Sequence, residues 1–132
     1  MQTGFTRFAT YDIDYIFDKL GDNIFSTKNR KRVMLDDGNV VKANSQRIKL
    51  FKLKGCKCVR CGIEGKFFAY EGTNKKEAHL NLYAIDKNGN EVLMTKDHIL
   101  PKSRGGANQM TNYVTMCSIC NFAKGNRLES EL

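Results

Sequence analysis

The chain has 132 residues, 41% of them hydrophobic, with eleven glycines against one proline and a net charge of +8. That length suits one domain, or a small domain with an extension, and excludes a string of full-sized domains. No stretch approaches the roughly 18 apolar residues of a membrane-spanning helix, and the opening MQTGFTRFAT lacks the long apolar core of an export signal.

The charge is unevenly placed. Residues 1–27 carry Arg7 and Lys19 against Asp12, Asp14, Asp18 and Asp22. Residues 28–66 carry twelve Lys or Arg against Asp36, Asp37 and Glu64. A basic segment inside a folded chain is a footprint for phosphates. A solvated surface without a partner is the plainer alternative. The five cysteines are an odd number. With no export signal, the expected compartment is the reducing cytosol, where clustered cysteines favour metal over disulfide.

In chain order, residues 5–20, FTRFATYDIDYIFDKL, mix aromatics with acids, and helix and strand readings compete. Residues 29–44 predict a hairpin, with Val33-Met34-Leu35 and Val40-Val41 flanking the turn pair Asp37-Gly38. Ser45 is placed to cap a short helix over SQRIKLFKL. Ile48, Phe51 and Leu50 would form its buried stripe, with Arg47, Lys49, Lys52 and Lys54 on the wet side. Residues 78–86 alternate as a strand, with Leu80, Leu82 and Ala84 on one face. Residues 87–90 form a turn and 91–100 the return strand, ended by Pro101. A polar glycine-bearing loop follows at 102–111. Asn112 then leads a short strand, YVTM, and a short helix falls within CSICNFAKGNRLESEL. The sum is an α+β chain, divided into an N-terminal extension at 1–54, hairpin plus basic helix, and a second unit at 55–132.

Two knuckles share one spacing, Cys58-x-x-Cys61 and Cys117-x-x-Cys120. Each can present two thiolates to one side, and four such sulfurs close a tetrahedral zinc site. Four protein ligands leave no open position, so this zinc is structural. An iron–sulfur cluster would need a redox context that the sequence does not supply. Cys56 is the surplus thiol. Its spacing to Cys58 is poor for a shared ion, and Gly62 closes a turn after Cys61, so Cys58 pairs with Cys61.

Between the knuckles lies TKDHILPKSRGG. Carboxylates suit hard cations and a neutral imidazole suits proton abstraction. Singly, Asp97 reads as a cap or surface charge, His98 as a polar contact, Asn112 as a turn residue and Asn121 as a helix cap. His79 reads as a structural or surface residue. Together, DHILPKSRGGANQMTNYVTMCSICNFAKGN resembles the HNH endonuclease family, in the order Asp-His, glycine-bearing loop, Asn, Cys-x-x-Cys-Asn, Lys. The resemblance spans about residues 55–128.

It implies a small zinc-stapled, treble-clef-like ββα-metal domain that hydrolyses DNA phosphodiester bonds. In that scheme Asp97 and Asn121 are ligands of a catalytic magnesium or manganese ion, and His98 is the general base. Asn112 ties the loop down and helps orient the histidine. Lys124, three positions after Asn121, meets a phosphate oxygen or braces the loop. Lys102 and Arg104 clamp the backbone or are simply solvated. The family product carries a 5′-phosphate and a 3′-hydroxyl. One catalytic centre cuts one strand per visit, as a nickase would, and a double-strand break needs a homodimer or two visits of a monomer. RNA stays open as a substrate. A compact stand-alone unit would suit a phage or mobile element. A non-catalytic zinc-stapled nucleic-acid-binding module is the alternative, and an interaction module with incidental charge a third. Because neighbouring strand residues face opposite ways, Asp97 and His98 require a bend, twist or bulge to address one phosphate, and a regular strand holding them on opposite faces counts against the assignment.

Overall fold

The computed structural model describes residues 5–128. The ambiguous N-terminal stretch contains both elements. Strand β1, Thr6–Asp12, runs straight into helix α1, Ile13–Leu20. Ile13, Ile16, Phe17 and Leu20 recur at helical spacing, and Ile16 and Leu20 are fully buried. A 3-10 turn, Gly21–Phe25, then buries Ile24.

Strands β2, Arg32–Met34, and β3, Val40–Lys42, form the expected hairpin. The Leu35 N–H donates to Asn39 O at 2.8 Å, and Asp37 Oδ1 accepts the Asn39 N–H at 3.0 Å. Helix α2 follows at Gln46–Lys54, and Ser45 Oγ accepts the Ile48 N–H at 3.2 Å as its cap. Ile48, Leu50 and Phe51 are buried as expected.

The main sheet contains β1, β4 (Gly65–Gly72), β5 (His79–Ile85), β6 (Glu91–His98) and β7 (Tyr113–Cys117), in the spatial order β1-β4-β5-β6-β7. Every pairing is antiparallel. Helix α3, Ser118–Lys124, closes the chain's regular structure. No element is predicted where β4 lies. Most of that strand is buried, so its FFAY run shows no alternation to read. Leu80, Leu82 and Ala84 are buried on one face of β5, where Phe68 and Tyr70 of β4 pair with Leu82 and Leu80. Helix α2 covers that face, with Phe51 6.4 Å from Phe68 between ring centroids.

Strands β5 and β6 pair only from Tyr83↔Leu93 to Ile85↔Glu91. Beyond Tyr83, Arg47 takes up the strand's polar groups. It donates to Asn81 Oδ1 at 2.9 Å and to Leu80 O at 3.3 Å. Arg47 therefore does not belong to the wet side of α2. Lys54 also reaches inward, donating to Tyr113 O at 2.6 Å. Among the described residues, no helix is long and apolar enough to cross a membrane.

A polar network ties β1 into the sheet. Glu71 is buried and accepts from Arg7 Nε at 3.0 Å, Asn81 Nδ2 at 2.9 Å and the Tyr83 hydroxyl. Arg7 also grips Glu91 with both terminal nitrogens at 2.8 Å and lies 5.0 Å from the Tyr83 ring centroid. Burial alone would push the Glu71 carboxyl up. The bonds from Tyr83, Asn81 and Arg7 outweigh it and hold the group below its ordinary value. A depressed carboxylate adds stability that is complete above the unfolded value and lost as pH falls through the folded one. Thermal unfolding followed as a function of pH should therefore show a loss of stability below about pH 4.5. In Glu71→Gln that acid limb should be shallower, and the protein weaker by about 1–3 kcal/mol at neutral pH.

Candidate active site and metal centre

The four cysteines of the two knuckles meet. Their sulfurs all lie within 4.8 Å of one another, and Cys61 Sγ is 3.8 Å from Cys117 Sγ. A tetrahedral ion with metal–sulfur bonds of about 2.3 Å spaces its sulfurs by about 3.8 Å. Each knuckle folds back on its first sulfur, with the Cys61 N–H 3.5 Å from Cys58 Sγ and the Cys120 N–H 3.4 Å from Cys117 Sγ. The first turn closes by a Gly62 N–H to Cys58 O bond of 3.0 Å. Gly62 sits there at φ 82°, in the region where glycine is at ease. The Val59 N–H donates to Thr115 O at 3.0 Å and Thr115 Oγ1 to Gly55 O at 2.7 Å, stitching this knuckle to β7.

The thiol electrostatics fit a cation. Burial pushes the Cys58 thiol up, but the backbone N–H groups of Cys117, Cys61 and Arg60 prevail and bring it down to about 7. Burial raises Cys117 and Cys120, and the neighbouring sulfurs raise Cys120 further. One thiolate thus opposes the ionisation of the rest until a positive ion joins them. The site suits a structural metal such as zinc. Cys56 lies outside the cluster, and burial pushes its thiol up to about 11.

Asp97 and His98 end β6. The β6–β7 register runs without a shift through Asp97↔Val114 and His98↔Tyr113, so the bulge expected at this pair is not there. The two side chains take opposite faces. On one face, Asp97 Oδ2 accepts from Lys124 Nζ at 2.6 Å, and Thr95 Oγ1 accepts from Asn121 Nδ2 at 2.8 Å. Lys124 and Asn121 stand three apart on α3, one turn of helix. Lys124 is only 2% exposed and also donates to His98 O at 2.7 Å. On the other face, the His98 ring meets Tyr113 edge-on at 5.1 Å between centroids. Its Nε2 lies 2.8 Å from Asn108 Oδ1. The amide oxygen accepts only, so Nε2 is the donor, and in the neutral ring the lone pair is then on Nδ1.

The return strand stops two residues earlier than expected, because Asn112 takes over from the ladder. Its backbone O accepts the Ile99 N–H at 2.7 Å and its Oδ1 the Leu100 N–H at 2.9 Å. Its Nδ2 donates to Leu100 O at 3.1 Å and Ala107 O at 2.9 Å. Asn112 thus pins the loop and makes no hydrogen bond to His98, whose polar partner is Asn108. Gly106 completes the turn, since a Cβ there would lie 1.8 Å from Leu100 O. Lys102 and Arg104 stand on the exposed 3-10 turn Lys102–Arg104. His79 is exposed, with Nδ1 3.3 Å from Glu77 O. Asn108 and Thr95 carry no signal in the sequence, where both are ordinary polar residues that only the fold brings to His98 and Asn121.

A small α+β sheet domain with a four-cysteine cluster beside an Asp-His-Asn-Lys set is the class that the fold and the site define. Residues 86–132 match the family model described as HNH endonuclease. This segment holds Asp97, His98, Asn112, Cys117, Cys120, Asn121 and Lys124, whereas Cys58 and Cys61 precede it. No curated protein and no solved structure matches the chain. The match points to nuclease activity on nucleic acid and to metal binding.

Metal analysis of purified variants tests the cluster. Cys56→Ser should keep about one metal ion per chain, whereas Cys58→Ser should lose it and unfold the C-terminal elements cooperatively. A Cys56→Ser protein that loses its metal would require a different ligand set.

Proposed function

We propose that the protein is a divalent-metal-dependent endonuclease that hydrolyses DNA phosphodiester bonds one strand at a time. Strands β6 and β7 with helix α3 serve as its ββα-metal unit, within residues 55–132, and residues 5–54 add strand β1 to the same sheet and helix α2 against it. The observation that carries the proposal is the HNH match over residues 86–132, supported by Lys124, which ties Asp97 and the His98 backbone to α3, the helix that carries Asn121.

Asp97 and Asn121 are the ligands for the catalytic ion. Asp97 Oδ1 and Asn121 Oδ1 take no hydrogen bond among the described residues, which leaves one hard oxygen donor on each. Such a donor set suits magnesium or manganese. The bound ion would neutralise charge on the phosphate and on the departing oxygen. His98 Nδ1 takes the proton of a water that attacks phosphorus, while Asn108 holds the ring in the tautomer that leaves Nδ1 free. The bond to the 3′ oxygen breaks, that oxygen takes a proton from solvent water, and His98 later gives its proton back to solvent, leaving a 5′-phosphate and a 3′-hydroxyl. The opposite-facing side chains count against a phosphate bound on either face of the sheet, so the proposal requires one lying across the end of β6. His98 is the strand's last residue, and the chain turns away at Ile99. Lys124 is a brace in this scheme, its ammonium being used up by Asp97 and the strand end. Lys102 and Arg104 flank the substrate from the loop.

Supercoiled plasmid incubated with magnesium should be nicked, and EDTA should abolish the reaction. His98→Ala should lower the rate by about 10²–10⁴-fold while keeping metal content and fold. Cleavage that survives His98→Ala would dismiss the mechanism, and wild-type protein that binds DNA without cutting it would favour the binding-module alternative.

Asn108 acts as a positioning residue. Asn108→Ala should lower kcat about tenfold at unchanged KM. Asn108→Asp, which keeps the acceptor oxygen, should restore most of it. Equal losses in both variants would count against the tautomer role.

A further inference from the structure

A second charged site lies apart from Asp97 and His98. A cleft of about 450 Å3 opens between the β2–β3 hairpin and the segment that leads into β5. Arg30, Arg32, Lys42 and Lys76 line it, together with Glu77 and His79. Elsewhere the chain satisfies its structural cations: Arg7 with Glu71 and Glu91, Lys19 with Asp36, Lys124 with Asp97. The four cations of the cleft have no such partner for their side chains among the described residues.

The cleft is built at a cost. Arg32 and Lys42 stand directly opposite each other in the hairpin ladder, and like charges so placed are destabilising. Arg30 holds φ 55°, the positive-φ region, and is the one non-glycine residue to do so among those described. Asn44 pins it there from both sides. Its Oδ1 accepts the Lys31 N–H at 3.0 Å, and its Nδ2 donates to Ser26 O at 3.0 Å and Lys28 O at 2.7 Å. The two walls are joined by a single hydroxyl, since Tyr70 Oη lies 3.1 Å from Val40 O on one wall and 3.4 Å from Lys75 O on the other. Repulsion between like charges held in one concave surface marks a place that an anion relieves.

The cleft also has a place relative to the proposed chemistry. The Tyr83↔Leu93 register puts the start of β5, at His79, and the end of β6, at His98, at the same end of the sheet. We propose that the cleft binds backbone phosphates of the nucleic-acid substrate at a distance from the bond that is cut. This proposal rests on the nuclease reading for the word substrate, and on the cleft alone for phosphate binding.

The test uses the full chain. Arg30→Gln, Arg32→Gln, Lys42→Gln and Lys76→Gln are combined in one variant. A control combines Lys52→Gln, Lys57→Gln, Lys66→Gln and Lys87→Gln, with the same change in net charge. Binding of a short labelled duplex is measured for both in a His98→Ala background, from about 50 to 200 mM salt. The cleft variant should bind at least tenfold more weakly at low salt, and the slope of log K against log salt should fall by about two or more. The control should change much less on both counts. Circular dichroism and metal content confirm that each variant is folded. Cleft and control variants that behave alike overturn the proposal, whether or not the wild type cuts DNA. A wild type that fails to cut, with binding still lost selectively in the cleft variant, defeats the nuclease reading and leaves the cleft standing.

Discussion

Helix α3 has almost no apolar reason to lie where it does. Its only buried residue is Lys124, while Ile119 and Phe122 are 63% and 90% exposed. A seven-residue helix is far too short to persist by itself. Polar attachments hold it at both ends. At its N-terminus, Cys117 caps the helix through sulfur and belongs with Cys120 to the four-sulfur cluster. At its C-terminus, the Lys124 ammonium is buried against Asp97 and the His98 carbonyl. Taking one partner from a buried pair of this kind costs about 3–5 kcal/mol, because the other charge is left stranded. Asn121, which donates to Thr95 Oγ1 on β6, sits between the two anchors. The metal cluster and the ion pair together set the distance between α3 and the end of β6, and hence the geometry available to any ion or phosphate there.

This division explains why the cysteines and the candidate chemistry alternate along the chain without sharing residues. The first knuckle is sewn to β7 by Val59 and Thr115, and the second passes directly into α3. Cluster and strand therefore fix the helix as a rigid arm, while Asn112 and Asn108 organise the loop on the far side of β6. A histidine at the last position of a strand needs such a loop, because past that point no ladder constrains the ring. The cross-strand Tyr113 ring limits it on one side, and the Asn108 amide sets its tautomer.

Local signals were legible in the sequence wherever the cause was local. The Asp37-Gly38 turn, the Ser45 cap, the alternation of Leu80, Leu82 and Ala84, and the paired C-x-x-C spacings each depend on a few neighbouring residues, and each appears as an element or cluster. What was not legible depended on distant chain. Strand β4 is covered on both faces and so carries no period. Arg47 looked solvated because its partners, Asn81 and Leu80, are more than thirty residues away in sequence. The irregularity sought at Asp97-His98 followed from the alternation of strand side chains, but the β6–β7 register stays regular through both residues and the chain bends only at Ile99 and Leu100.

The placement of charge carries the last step. This chain is strongly basic, yet several of its cations are used in folding. Arg7 holds β1 to the sheet, Arg47 fills the gap where β5 and β6 part, Lys54 ties α2 to β7, and Lys124 anchors α3. Net charge alone therefore overstates what is offered to a polyanion. The informative cations are Arg30, Arg32, Lys42 and Lys76, which line one cleft together with Glu77. Had they served solubility alone, dispersal over the surface would have avoided both the Arg32–Lys42 repulsion and the left-handed backbone at Arg30. Their concentration in one concavity, at the same end of the sheet as His98, is the feature on which the proposed phosphate binding rests.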